Sequence, residues 1–125
     1  MKPLLIVALG GALGACCRYL IGLWIKPIDP AVFPWHTFLV NVSGCFIIGI
    51  IWSYFSQYGG PSAIELFLTT GFLGGFTTFS GFGAETVLLL KNQTFKTAFQ
   101  YIIGTNLMGL LSVWLGYELI LFIKQ

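Results

Sequence analysis

The stretch Gly71-Phe72-Leu73-Gly74-Gly75-Phe76-Thr77-Thr78-Phe79-Ser80-Gly81-Phe82-Gly83 constrains the chain more than any other. It sits at the centre of an apolar run, from about Ile64 to Leu90, that is long enough to cross a bilayer as a helix. Glycine is the residue most at ease outside helical geometry. Threonine and serine hydroxyls can satisfy backbone groups that a break sets free. Irregular backbone inside hydrocarbon is tolerated only where protein buries it or a cavity receives it. The pattern therefore predicts a discontinuous helix, broken at mid-membrane, whose bared carbonyls and hydroxyls bind or pass something small. The competing reading is an unbroken helix that uses Gly and Thr for close packing.

Composition supports the membrane setting. Only 8% of the 125 residues are charged and 57% are hydrophobic, whereas soluble domains carry about 25% charged residues. So few charged side chains cannot coat a water-soluble surface. The fold class expected is all-α integral membrane, as a single four-helix transmembrane domain over residues 1–125. The four apolar runs cover approximately 4–25, 37–55, 64–90 and 97–123, and about 20 helical residues suffice to span. Prolines at 27, 30 and 34, the Gly59-Gly60-Pro61 cluster and the polar segment Lys91–Lys96 separate them. Trp24, Trp35, Trp52 and Tyr58 lie near run ends, as interfacial anchors do. Lys2 followed by an apolar run and small residues imitates a signal peptide, but apolar character resumes after Arg18, which favours a retained first span. A net charge of +2 gives no reason to expect nucleic acid. Cys16, Cys17 and Cys45 are odd in number, lie in apolar runs and form no C-x-x-C, so they read as reduced packing residues.

The cationic residues divide weakly between the two sides. Lys26, Lys91, Lys96 and Arg18 fall toward one face, Lys2 and Lys124 toward the other. A bias this small permits insertion both ways round and hence an antiparallel homodimer; a single orientation is the alternative. Four helices enclose little space, so self-association is expected. Gly10/Gly14 and Gly71/Gly75, each spaced i, i+4, allow close helix approach, either between subunits or within one.

Nothing suggests catalysis, and no enzyme activity is expected. The single histidine, His36, lies at the end of the proline-rich connection with no acid or thiol evidently placed to join it. Asp29, Glu65, Glu85 and Glu118 avoid span centres and form no paired spacing. Arg18 lies inside the first span, where an arginine faces a partner or a watery cavity, or snorkels to the interface. It could draw an anion into a vestibule. Glu85 could pair with Arg18, line a vestibule mouth, or be a plain interfacial carboxylate. Asn41 carries two amide donors into an apolar setting, for a ligand or for a hydrogen bond between helices. Tyr101, Thr105 and Ser112 share one helical face, as a polar track or as packing hydroxyls. Phe76, Phe79 and Phe82 cluster at the break; a ring offers a positive edge to an anion stripped of water. Donors and ring edges together suit a small anion better than a cation or a bulky drug.

At this point the sequence resembles a known family. Gly74-Gly75-Phe76-Thr77-Thr78-Phe79-Ser80 matches the G-G-[FL]-T-T-[FY]-S signature of the Fluc (CrcB) fluoride channels. Gly10-Gly11-Ala-Leu-Gly14-Ala-Cys-Cys-Arg18-Tyr and Asn41-Val-Ser-Gly44-Cys-Phe-Ile-Ile-Gly49 support the match. The resemblance implies antiparallel dual-topology dimers with two fluoride pores in a bacterial inner membrane. It implies a central structural Na⁺ held by carbonyls of Gly75 and Thr78 from both subunits. It implies an aromatic box of Phe79 and Phe82, with Asn41 donating to fluoride. Ser80, Thr37, Tyr101 and Thr105 would extend the polar track, although Gly81 and Gly83 stand where some relatives have hydroxyls. Arg18 and Glu85 would belong to the vestibule or to subunit packing. The role implied is passive export of cytoplasmic fluoride. Two rival readings are a small dual-topology multidrug exporter, which needs an embedded carboxylate that the first span lacks, and a non-transporting assembly subunit.

Overall fold

A computed structural model of the protein describes residues 1–25, 32–58 and 62–123. Lys26, Asp29, Lys124, most of the proline-rich connection and the Gly59-Gly60-Pro61 turn lie outside the described residues. Among the described residues, four apolar helices are long enough to span a membrane: Lys2–Trp24, Trp35–Gln57, Ala63–Lys91 and Phe95–Ile123. The chain is a multi-pass membrane protein.

Helix α1 (Lys2–Trp24) opens with Pro3 in its first turn, where the missing N–H costs nothing. Helix α2 (Trp35–Tyr58) follows the connection. The third span begins on a Ser62 cap, whose hydroxyl accepts from the Glu65 N–H at 3.0 Å. Its first half, α3 (63–76), contains a π-helical stretch, Phe67–Leu73, between short α-helical turns Ala63–Leu66 and Gly74–Phe76. Thr77 (φ −75°, ψ 156°) and Thr78 (φ −147°, ψ 109°) then leave helical geometry. Helix resumes as α4 (Phe79–Lys91). A tight hairpin leads to α5 (Phe95–Ile123). Gln93 takes the left-handed conformation there (φ 59°), and Thr94 closes the turn through its N–H and hydroxyl on the Leu89 carbonyl.

Two glycine-lined seams hold the bundle. In the first, α1 lies on α3 so closely that a Cβ on Gly14 would sit 2.0 Å from the Phe72 carbonyl oxygen, and one on Gly75 would sit 2.3 Å from that of Gly11. Gly10 and Gly71 meet at the same seam. The two Gly-x-x-x-Gly pairs are therefore spent on each other within one chain, not on a second copy. In the second seam, α2 lies on α5, with Gly49 against Val113 and Gly116 against Phe46. The interruption lies between these two tightly joined helix pairs, with Phe79 and Ser80 still exposed.

Two apolar clusters fill the interior: Val40, Ile51, Leu73 and Phe76 on one side of the interruption, and Phe82, Leu89, Ala98 and Tyr101 on the other. The outer faces are apolar as well, with Leu4, Leu9, Leu110, Trp114 and Phe122 all exposed. Such faces suit lipid tails as solvent.

Candidate functional site

Asn41 of α2 holds the interruption in place. Its Oδ1 accepts from the Thr78 N–H at 2.8 Å, and its Nδ2 donates to the Thr78 carbonyl at 3.1 Å. A side-chain amide thus replaces the helical acceptor that the Thr78 N–H has lost and adds a donor to its carbonyl, which also accepts a longer bond from the Phe82 N–H at 3.5 Å. One helical turn further along α2, Gly44 makes room for Thr77, whose methyl would lie 2.3 Å from a Cβ at that position. The Thr77 N–H and hydroxyl both bond to the Leu73 carbonyl, at 3.0 and 2.9 Å. Thr78 caps α4, its hydroxyl accepting from the Gly81 N–H at 2.9 Å. The Ser80 hydroxyl lies 3.2 Å from that of Thr78.

The ends that face each other carry opposite polarity. Among the described residues, no backbone hydrogen bond runs from Phe79 or Ser80 back to Gly75 or Phe76. The carbonyl end of α3 is partially negative and the amide end of α4 partially positive. One interruption thus offers uncharged oxygens to a cation and N–H groups to an anion.

A groove of about 450 Å³ lies on one side of Thr78. Asn41, Thr77, Thr78, Phe79, Phe82 and Thr105 contribute to its wall. The Thr105 hydroxyl is buried there without a hydrogen-bond partner. Asn41 spends one amide N–H on Thr78 and keeps a second to donate. Phe79 is 82% exposed, whereas Phe82 is buried. Their rings are 5.6 Å apart, and Phe82 lies 5.1 Å from the ring of Tyr101. Tyr101, Thr105 and Ser112 are buried along one face of α5.

A second cavity, of about 430 Å³, opens on the other side of Thr78. Arg18, His36, Thr37, Ser80 and Glu85 line it. Glu85 is its hub. Glu85 Oε1 accepts from the Thr37 hydroxyl at 2.7 Å and lies 3.0 Å from His36 Nε2, while Oε2 accepts from the Tyr101 hydroxyl at 2.5 Å. The pairing of Glu85 with Arg18 is not found; among the described residues the basic side chain in contact with Glu85 is His36. His36, which sequence reasoning left without an acid, has one. The two residues lie on different helices with no shared spacing or motif, so only the packing of α4 on α2 reveals the contact.

Gly75 and Thr78 are brought near each other but are not equivalent. Gly75 packs on Gly11, and Thr78 shares its carbonyl with Asn41. Neutral backbone oxygens released at a helix end fit a hard monovalent cation, and the described residues contain no cluster of three His, Cys, Asp or Glu for a transition metal. Two carbonyls are too few to enclose an ion, so one chain supplies at most part of a shell.

A family profile described as CrcB-like protein, Camphor Resistance (CrcB), matches residues 5–117. A protein of Phocaeicola vulgatus named fluoride-specific ion channel FluC is 44% identical, over 93% of this chain and 96% of its own. One of Methylobacillus flagellatus with the same name is 41% identical, over 100% of this chain and 99% of its own. A third, from Thermus thermophilus, is 44% identical over 92% and 91%.

Proposed function

The chain belongs to the CrcB family, and from that premise we propose that it is a passive, fluoride-selective channel that lets fluoride leave the cytoplasm across a bacterial inner membrane. The observation that carries the reading is the Asn41-braced interruption, with donors on both sides of it and relatives named for fluoride conduction.

Fluoride is small and tightly hydrated, so a route must replace its water with donors that each hold it weakly enough to let go. The free amide N–H of Asn41, the unpartnered Thr105 hydroxyl and the N-terminal amides of α4 are such donors. The edges of Phe79 and Phe82 add partial positive charge without adding a strong site. Arg18 brings positive charge to the second cavity, opposite in sign to the Glu85 carboxylate that also lines it. The polar track then runs by Ser80, Thr37 and Tyr101.

The groove beside Phe79 is open in a single chain, and a ring 82% exposed next to it calls for a cover. In our reading an oppositely inserted copy supplies that cover, closing two fluoride pores per antiparallel dimer with the interruptions at mid-membrane. Bound Na⁺ would knit the two interruptions together through the carbonyls of Gly75 and Thr78 and raise the local positive potential. Prolonged dialysis into a large organic cation in place of Na⁺ then weakens the dimer or its flux; indifference to complete Na⁺ removal counts against the ion.

The exporter alternative requires a carboxylate free to exchange protons and substrate. Glu85 instead has both oxygens engaged by Thr37, His36 and Tyr101. Fluoride release from liposomes containing the purified protein, with chloride and a cationic dye as controls, tests the proposal. Fluoride release alone supports it. Dye transport, or no fluoride release in several lipid mixtures, rejects it.

A further inference from the structure

Asn106 is polar where its neighbours are not. It lies near the middle of α5 (Phe95–Ile123), is exposed, and stands beside the exposed apolar side chains of Leu107, Met108 and Leu110. An amide set among lipid tails at that depth would be costly. Asn106 instead contributes to the wall of the groove beside Thr78, together with Asn41 and Thr105.

The amide is held in place. Its Nδ2 donates to the Ile102 carbonyl, one turn back on α5, at 2.7 Å. Only the NH₂ end of an amide can donate to a carbonyl, so this bond fixes which way round the group sits. Asn41 of α2 is anchored in the same manner, through Nδ2 to the Thr78 carbonyl at 3.1 Å. Each amide has thus spent one N–H on backbone and keeps one. The residue next to Asn106 adds an independent sign that the groove receives something. Thr105 is 9% exposed, and its hydroxyl is buried without a partner. Two packed helices therefore bring three neutral side chains with hydrogens to give to one groove, and among the described residues no carboxylate lines it.

We propose that Asn106 is a second amide donor to fluoride in the groove, taking the ion with its unspent N–H as Asn41 does from α2. A dehydrated anion released by one weak donor must be met by another, and a neutral amide binds without trapping. The inference rests on the fluoride-channel reading and adds to it a binding residue on α5.

The test is the initial rate of fluoride efflux from liposomes, measured against internal fluoride concentration, for wild type, Asn106→Leu and Asn106→Gln. Leucine is of similar size but has no donor; glutamine keeps the amide. In Asn106→Leu the half-saturating concentration rises about tenfold, the worth of one hydrogen bond to a charged group in a partly hydrated groove. In Asn106→Gln most of that loss is recovered, and both variants elute from size-exclusion chromatography as wild type does. An unchanged half-saturating concentration in Asn106→Leu, or a loss in Asn106→Gln as large as in Asn106→Leu, overturns the inference while leaving the channel intact. So does elution of Asn106→Leu as a smaller species than wild type, which would make Asn106 a contact between copies. Absence of fluoride efflux from wild type at every concentration overturns the channel reading and this inference together.

Should Asn106→Leu fail to fold, wild type decides by NMR. The chain has three asparagines, Asn41, Asn92 and Asn106. In protein labelled with ¹⁵N at asparagine, fluoride moves two side-chain amide signals and leaves that of Asn92 in the hairpin, which is identified by its loss in Asn92→Gln. Movement of one signal or none overturns the inference.

Discussion

Asn41 grips the peptide of Thr78 at both ends, taking its N–H at 2.8 Å and its carbonyl at 3.1 Å. An interruption in an apolar span is otherwise costly, because a backbone group without a partner in such surroundings is destabilising by several kcal/mol. Asn41 therefore does two jobs: it stabilises the extended Thr77–Thr78 segment, and it keeps one N–H facing the groove.

Asn41→Ala removes both bonds. It should lower stability in detergent by about 2 kcal/mol or more, with loss of fluoride flux. Asn41→Asp keeps an acceptor for the Thr78 N–H but has no donor for the carbonyl and adds negative charge beside the groove. It should retain more stability than Asn41→Ala while conducting no fluoride. Thermal unfolding and flux measured together check this; an Asp variant that conducts like wild type would contradict the donor role.

The α1–α3 seam has no room at Gly14, where an added Cβ would stand 2.0 Å from the Phe72 carbonyl oxygen. Gly14→Ala should yield aggregated protein on size-exclusion chromatography. Gly83→Ala has nothing within 4 Å of the added atom and lies within α4, so it should elute as wild type does. Equal behaviour of the two variants would show that the seam is looser than it looks.

Phe79 and Phe82 differ in surroundings, not in chemistry. Phe79→Ile touches a ring that is exposed in one chain. It should cut fluoride flux by about tenfold, the equivalent of ~1.4 kcal/mol of lost ring-edge stabilisation, with chain stability unchanged. Phe82→Ile also removes a buried contact with Tyr101, so it should lower stability by about 1 kcal/mol as well. Unaltered flux in Phe79→Ile removes that ring from the route.

What the sequence disclosed follows from how local each signal is. That the third span is not one regular helix was legible in Thr77, Thr78 and the glycines around them, because hydroxyls and glycines act on their own backbone. The π-helical stretch Phe67–Leu73 was not, since no residue type in it marks a π-helix; in the fold it packs on α1 at Gly10 and Gly14. Asn41 could be recognised as a donor, but its hold on Thr78 is a contact between distant residues. The common face of Tyr101, Thr105 and Ser112 was readable from helical spacing; their burial required the neighbouring helices. His36 and Glu85 are the clearest omission, since nothing in either local sequence points to the other.

Opposite insertion of two copies makes its own prediction. Asn92 is exposed in the hairpin between α4 and α5. In a variant lacking Cys16, Cys17 and Cys45, Asn92→Cys in spheroplasts should react in part with a membrane-impermeant thiol reagent, and in the remainder only after lysis. Labelling of all copies from one side would falsify dual topology.

The most direct test is the reversal potential of the purified protein in a planar bilayer under a fluoride gradient. A passive fluoride-selective pore reverses at the fluoride equilibrium potential, about 59 mV per tenfold gradient for a monovalent ion, whatever chloride or pH gradient is imposed. A reversal potential that follows chloride, or that moves with the pH gradient as coupled exchange requires, would contradict the account.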